Sequence, residues 1–281
     1  MMLQALLIAL SEGVRWSSLS KIGNSRIAAI TIFAPIIGYL VVFNSTLSEY
    51  VTLVTPFGPE PVGLNAIDYL HGKRLYFLYL GVLFVGLATA LYAALAPEPI
   101  KTAASAVEYV RHMSDLNTPN IIRDSFLSTI GLYRRYNNEE ERHPMFSGSS
   151  LSSLERVSST LHPFIRSMFE GADTDMDILE HDAPDDDAEG AKPSFVTGSG
   201  YVRTDVIMEM LQSGRAVDRT FQYAILDEVI KNPKDVFFLE YISLDYSAFA
   251  RRVTVAVVYA VGFTLLLVPT ITTLGIIFRS W

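Results

Sequence analysis

Cysteine is absent from all 281 residues. That excludes disulfide scaffolds, thiolate zinc sites, cysteine nucleophiles and a lipid anchor on a cysteine thiol. Charge is missing just as completely from three long stretches. Residues 27–48, 75–97 and 253–278 contain no Asp, Glu, Lys, Arg or His. Catalytic signatures are missing too. There is no H-E-x-x-H pair for zinc, no G-x-S-x-G elbow for hydrolysis and no Gly-Lys-Ser/Thr phosphate loop. Strand-type alternation and internal repeats are also lacking, so the fold class expected is all-α.

What is present is concentrated. Half of the residues are hydrophobic, and they gather in the three uncharged runs instead of spreading along periodic faces. A helix rises about 1.5 Å per residue and a hydrocarbon core is about 30 Å thick, so roughly 20 apolar residues make one crossing. The second and third runs reach that length; the first is strictly apolar from Ile27 to Phe43, slightly short, and the uncharged Asn44–Ser48 supplies the remainder. The sequence therefore predicts a multi-pass membrane protein with transmembrane helices at 27–48, 75–96 and 253–278. Pro35 and Pro269 lie inside the first and third spans and predict kinks there, since each removes a backbone hydrogen bond. In the second span Gly86, Ala90 and Ala94 recur every four residues, a spacing that lets another helix approach closely.

Residues 1–26 carry Leu3, Leu6, Leu7, Leu10 and Val14 on one helical face, which predicts an amphipathic helix lying in the membrane interface. Cations and a tryptophan bracket the spans as expected of interface anchors: Lys21, Arg26, Arg251, Arg252, Arg279 and Trp281. Counting Lys and Arg near the span ends puts the N-terminus and the long segment 97–252 in the cytoplasm. It leaves 49–74 as a short extracytoplasmic loop and 279–281 as an extracytoplasmic tail. Cysteine-free composition and simple topology suit a bacterial inner membrane.

Segment 97–252 breaks into helical pieces. Ile100–Asp115 is expected to leave the second span directly. Thr118-Pro119 starts a helix with Ile122, Phe126, Ile130 and Tyr133 on one face, and Leu151, Leu154, Val157, Leu161, Ile165 and Met168 line another. Thr204–Lys231 is expected as a single helix stopped by Asn232-Pro233. Asp235 then caps a last helix that runs unbroken into the third span. Between them lies 171–200, rich in Asp, Glu, Gly, Pro and Ser, whose composition predicts a disordered linker.

The net charge of −8 is local. Glu170 to Glu189 holds ten carboxylates and no Lys or Arg, so the rest of the chain is slightly basic and nothing points to nucleic acid. Asp173, Asp175 and Asp177 resemble the opening of a calcium loop. The sixth and twelfth positions are Ile178 and Pro184 where such a loop needs Gly and Glu, so the tract is read as solvated charge. His181 sits within it, and Glu139–Glu141 precede Arg142 and His143 at a polar helix end. His112 and His162 are scattered elsewhere. Gly198-Ser199-Gly200 lacks the downstream residues of a phosphate cradle and is read as a hinge.

The sequence therefore predicts no catalytic, metal or cofactor residues. Its functional expectation is a non-enzymatic membrane scaffold or signalling adaptor that places a cytoplasmic partner at the bilayer. The alternative is an oligomeric pore or membrane-perturbing effector gated by its cytoplasmic domain. Expected partners are the lipid bilayer and either further copies of the chain or a cytoplasmic protein.

Overall fold

The computed structural model describes residues 14–23, 74–137, 151–172, 195–197, 199–213 and 219–280. Among these the structure is helical, in ten helices. They are α1 (Trp16–Gly23), α2 (Arg74–Leu95), α3 (Glu98–Thr102), α4 (Ala106–Asp115), α5 (Pro119–Asn137), α6 (Leu151–Gly171), α7 (Thr204–Ser213), α8 (Arg219–Lys231), α9 (Pro233–Asp245) and α10 (Phe249–Ser280). The chain divides into two compact units, one containing Pro97–Phe249 and the other Gly13–Ala96 with Ala250–Trp281.

In the second of these, two helices are long and apolar enough to cross a membrane, Tyr76–Leu95 with 20 residues and Phe249–Thr272 with 24. Three were expected; the first, 27–48 with Pro35, lies outside the described residues, as does the loop 49–73. α2 and α10 run antiparallel, since Thr89 meets Tyr259, Val85 meets Gly262 and Gly81 meets Leu266. Antiparallel pairing means that the chain leaves α2 and re-enters α10 at the same end of the pair. α1 also belongs to that end, where Trp16 packs on Tyr92 with ring centroids 6.2 Å apart. α10 continues through Pro269 as one helix of 32 residues. The Thr272 hydroxyl donates to the Pro269 carbonyl at 2.9 Å, a hydroxyl partner of the kind that lets an apolar helix carry proline.

The unit of 97–249 is a helical bundle centred on α9. That helix buries Val236, Phe237, Leu239, Tyr241, Ser243 and Asp245, which cover most of its circumference, and leaves Lys234, Asp235 and Phe238 exposed. A helix buried this widely is a core helix, and α3, α4, α5, α6 and α8 all pack on it. Around it, Ile122, Phe126, Ile130 and Tyr133 of α5 and Val157, Leu161, Ile165 and Met168 of α6 are buried, as their spacing predicts.

Helix ends differ from the sequence reading in four places. The stretch expected as Ile100–Asp115 is two helices, because Ser105 caps α4. Its hydroxyl accepts from the Glu108 N–H at 3.2 Å, while Glu108 Oε2 accepts from the Ala104 N–H at 2.9 Å. This reciprocal cap favours a fresh start over a continued helix. Thr204–Lys231 is likewise two helices, α7 and α8. Asn232 occupies the N-cap of α9 and Asp235 falls in its first turn. Finally, α9 does not run into α10. It stops at Asp245, and Ala248 adopts φ 50° before α10 begins.

The expected linker 171–200 is structured at both ends. α6 runs to Gly171, and Val196 bridges Val202 in an antiparallel turn in which Gly200 takes φ 82°. The Arg203 N–H donates to the Phe195 carbonyl at 2.8 Å, and the Phe195 ring lies 4.7 Å from that of Phe221. Residues 173–194, with the carboxylate string and His181, lie outside the described residues.

Candidate functional site

Three constellations combine polar chemistry with burial. The first is the α2–α10 pair. Built on Gly262, a Cβ would sit 2.9 Å from the Val85 nitrogen and 3.1 Å from the Gly81 carbonyl oxygen, so the two backbones touch there. A Cβ on Gly81 would meet the Leu266 nitrogen at 2.9 Å. Two turns along, the hydroxyls of Thr89 and Tyr259 lie 3.1 Å apart, both buried. Hydrogen bonds between membrane helices are worth about 0.6 kcal/mol on average. Tyr259→Phe is therefore expected to lower the melting point in detergent only slightly, and a collapse of the fold would contradict this.

The packing face of α2 is Gly81, Val85, Ala88, Thr89 and Tyr92. The strip singled out by its spacing lies elsewhere: Gly86 is half-buried, and Ala90 and Ala94 are exposed. The contact is written in the sequence only as Thr89 and Tyr259, hydroxyls on two apolar helices, and as the single glycines beside them.

The expected interface anchors also separate. Lys21 and Arg251 are exposed. Arg252 is not: its side chain is fully buried, and its Nη1 donates to the Val14 carbonyl at 2.7 Å. It joins the start of α10 to the chain entering α1 instead of reaching for headgroups. Arg26 and Trp281 lie outside the described residues, and Arg279 falls in the last turn of α10.

The second constellation lies in the bundle, among α4, α5 and α9. The Tyr109 hydroxyl donates to Glu240 Oε2 at 2.9 Å, and Ser125 also hydrogen-bonds this carboxylate. Burial pushes the Glu240 carboxyl above its ordinary range, while the bonds from Tyr109 and Ser125 pull the other way. Burial also raises the Tyr109 phenol, as do the charge of Glu240 and the bond to it, so Tyr109 remains an O–H donor. A carboxyl raised in the folded state binds its proton there before it does so in the unfolded chain. Stability is thus lost as pH rises from the unfolded value near 4.5 through the higher folded value, and is flat beyond. Glu240→Gln removes that loss. The variant is expected to resist urea better than the parent at pH 7.5 and no better at pH 4; a variant less stable at pH 7.5 would refute the assignment.

The third is His162 of α6. Its Nε2 lies 3.0 Å from the Tyr133 hydroxyl of α5, and its Nδ1 bonds the Thr204 hydroxyl at the start of α7. The Asp205 carboxylate is 4.0 Å from Nε2. Each ring nitrogen thus has a hydroxyl partner on a different helix, and the imidazole ties three helices together. Thr204 is buried, and with both ring nitrogens paired to hydroxyls the imidazole holds these helices together. His112 lies in the last turn of α4.

Gly200 belongs to the tight turn described above, with the Tyr201 N–H donating to Thr197 Oγ1 at 3.0 Å and Thr197 Oγ1 3.0 Å from Ser199 Oγ. A turn whose polar groups are used internally is a different object from a hinge. Among the described residues no three His, Asp or Glu side chains are grouped to hold a metal ion. Comparison with protein families, with characterised proteins and with solved structures finds no match to this chain.

Proposed function

We propose that this chain is an integral membrane adaptor, anchored by its apolar helices and presenting the bundle of 97–249 to a cytoplasmic protein partner. The observation that carries the reading is the state of α2 and α10. They pack through glycines on one narrow face, yet only 28 % and 22 % of their most apolar windows are buried. Val257, Val261, Phe263, Leu267, Ile271, Leu274 and Phe278 project from α10 uncovered. Apolar surface on that scale calls for lipid or protein around it, and the length and uncharged composition of both helices suit lipid.

Topology supports the same reading. The bundle is spliced between α2 and α10, so the chain enters and leaves it on one side of the bilayer. α1 docks at that same end, through Trp16 on Tyr92 and Arg252 on Val14. α2 begins at the far end, about 33 Å away for a helix of its 22 residues. In this reading the uncharged run 27–48 supplies a further span, as its length and composition suit. We read three spans, with the N-terminus and the bundle on the cytoplasmic side and the C-terminus opposite, in a bacterial inner membrane; the count of Lys and Arg near the span ends and the cysteine-free composition support this reading.

Two experiments test this. Purification from native membranes in mild detergent is expected to recover a protein bound to the bundle in fixed ratio; a monomer with nothing associated overturns the adaptor reading. Because the chain has no cysteine, single cysteines can be added without background. Cysteines in 49–73 are expected to react with an impermeant maleimide on intact cells, and one at the exposed Tyr223 only after permeabilisation. The reverse pattern inverts the orientation.

A further inference from the structure

We propose that the end of the α2–α10 pair where α1 docks is a surface for an anionic glycerophospholipid, selected by the charges of Lys21 and Arg251. The surface is built by α1. Its 8 residues, about 12 Å of helix, are long enough to bridge two helices whose axes lie about 8–10 Å apart. On one side the Val14 carbonyl accepts from Arg252 Nη1 at 2.7 Å, in the first turn of α10. On the other, Gly23 lies so close to Tyr92 that a Cβ would sit 2.7 Å from the ring, in the last turn of α2. Between them Trp16 packs on the same ring and, with Leu19 and Ser20, is buried. α1 is therefore a fixed crossbar at the level where both apolar helices end, which in a bilayer is the level of the headgroups.

Charge at this end has one sign. Among the described residues of this unit there is no Asp or Glu; the cations are Arg15, Lys21, Arg251 and Arg252 here, and Arg74 and Arg279 at the far end. Arg252 is buried and serves the Val14 carbonyl, whereas Lys21 and Arg251 are exposed. Held by the crossbar and by the head of α10, these two set a positive potential at a fixed depth. Each cation placed so at an anionic membrane surface strengthens binding by about fivefold. Further along α10, Thr254, Val257 and Val261 are exposed within three turns of Arg251. The surface thus passes from charge to hydrocarbon in the order in which a phospholipid does. That order favours a lipid over a free phosphate, because an anion without acyl chains gains nothing from the apolar turns. The inference rests on reading α2 and α10 as membrane spans, and adds which lipid their ends select.

The chain has only two tryptophans, so fluorescence can read this site. The full chain with Trp281→Phe keeps Trp16, on the crossbar itself, as its sole tryptophan. This protein is placed in phosphatidylcholine nanodiscs doped with a minor fraction of lipid brominated high on its acyl chains, either phosphatidylglycerol or phosphatidylcholine. Bromine quenches tryptophan only at short range, so the ratio of quenching reports which lipid sits beside Trp16. Two cations at about fivefold each predict a preference for phosphatidylglycerol of about 25-fold at low salt, weaker as salt is added. Lys21→Gln and Arg251→Gln are each expected to lower it about fivefold, and together to bring it near one. Both side chains are exposed, so neither change disturbs the packing of α1. Arg279→Gln, at the far end, is expected to leave the ratio unchanged. Equal quenching by the two lipids overturns the lipid site and leaves the spans intact. So does a preference that survives in the double variant, that falls as far in Arg279→Gln, or that inorganic phosphate abolishes at matched ionic strength. Quenching by neither lipid overturns the membrane reading, and this inference with it.

Discussion

Replacing Gly262 with leucine is expected to force α2 and α10 apart. The obstruction is backbone, not a side chain that can rotate away: the new Cβ would lie 2.9 Å from the Val85 nitrogen and 3.1 Å from the Gly81 carbonyl oxygen. Overpacking of this kind costs about 1–3 kcal/mol. Separation of the helices also breaks the Thr89–Tyr259 hydrogen bond on the same face. Together these put the loss near the top of that range, and a drop of many degrees in the melting point in detergent is the expected reading. Gly86→Leu is the matched control. Gly86 lies on the same helix but is only half-buried and off the packing face, so its replacement is expected to be much milder. A larger loss from Gly86→Leu than from Gly262→Leu would show that the helices meet through the other face.

The second large effect is expected at Arg252. Removing its side chain leaves a void, since it is among the largest side chains with no exposure. It also takes the donor from the Val14 carbonyl. A void of that size together with an unsatisfied carbonyl costs about 3 kcal/mol or more. Arg252→Ala is therefore expected to lower the melting point sharply and to release the chain at α1, seen as new protease cleavage before Gly23. Arg252→Lys is expected to recover only part of the loss, because an ammonium lacks the planar fork of the guanidinium. Arg251→Ala, one residue away but exposed, is expected to change stability by less than about 0.5 kcal/mol. Equal losses at the two positions would mean that Arg252 acts as a simple headgroup contact.

That contrast shows how far each level of description reaches. Arg251 and Arg252 are identical in the sequence, and the charge rule treats them alike. They project about 100° apart around the helix, so whether each meets solvent or protein depends on what docks against that turn. The same holds for α2. A four-residue spacing of small residues identifies a strip that could pack, but Gly81 is the glycine that does so, because the crossing point depends on where both helices are smallest together. The Tyr109–Glu240 pair spans 131 positions, a separation at which no local pattern can join the two residues.

Local patterns succeeded where local physics decides. The 3.6-residue spacing of Ile122, Phe126, Ile130 and Tyr133 defines one face of a helix, and that face is buried. Thr118-Pro119 opens α5, with the Ile121 N–H on the Thr118 hydroxyl at 3.4 Å. The reciprocal cap of Ser105 and Glu108 is legible as S-x-x-E, but it stands where helical spacing continues on both sides and so carries no break of its own in the pattern.

The sequence by itself determined the helical class, the faces of the bundle helices, and the two uncharged runs that form α2 and most of α10. All of these follow from side-chain chemistry within a few turns of the chain. Only the tertiary structure decided which face of α2 meets α10, why one of two adjacent arginines is buried, and that the last helix breaks at Ala248. For α2 and the two arginines the deciding term is packing against a segment distant in the sequence. At Ala248 the alanine takes a φ of 50° between α9 and α10, a conformation that the residue type does not announce.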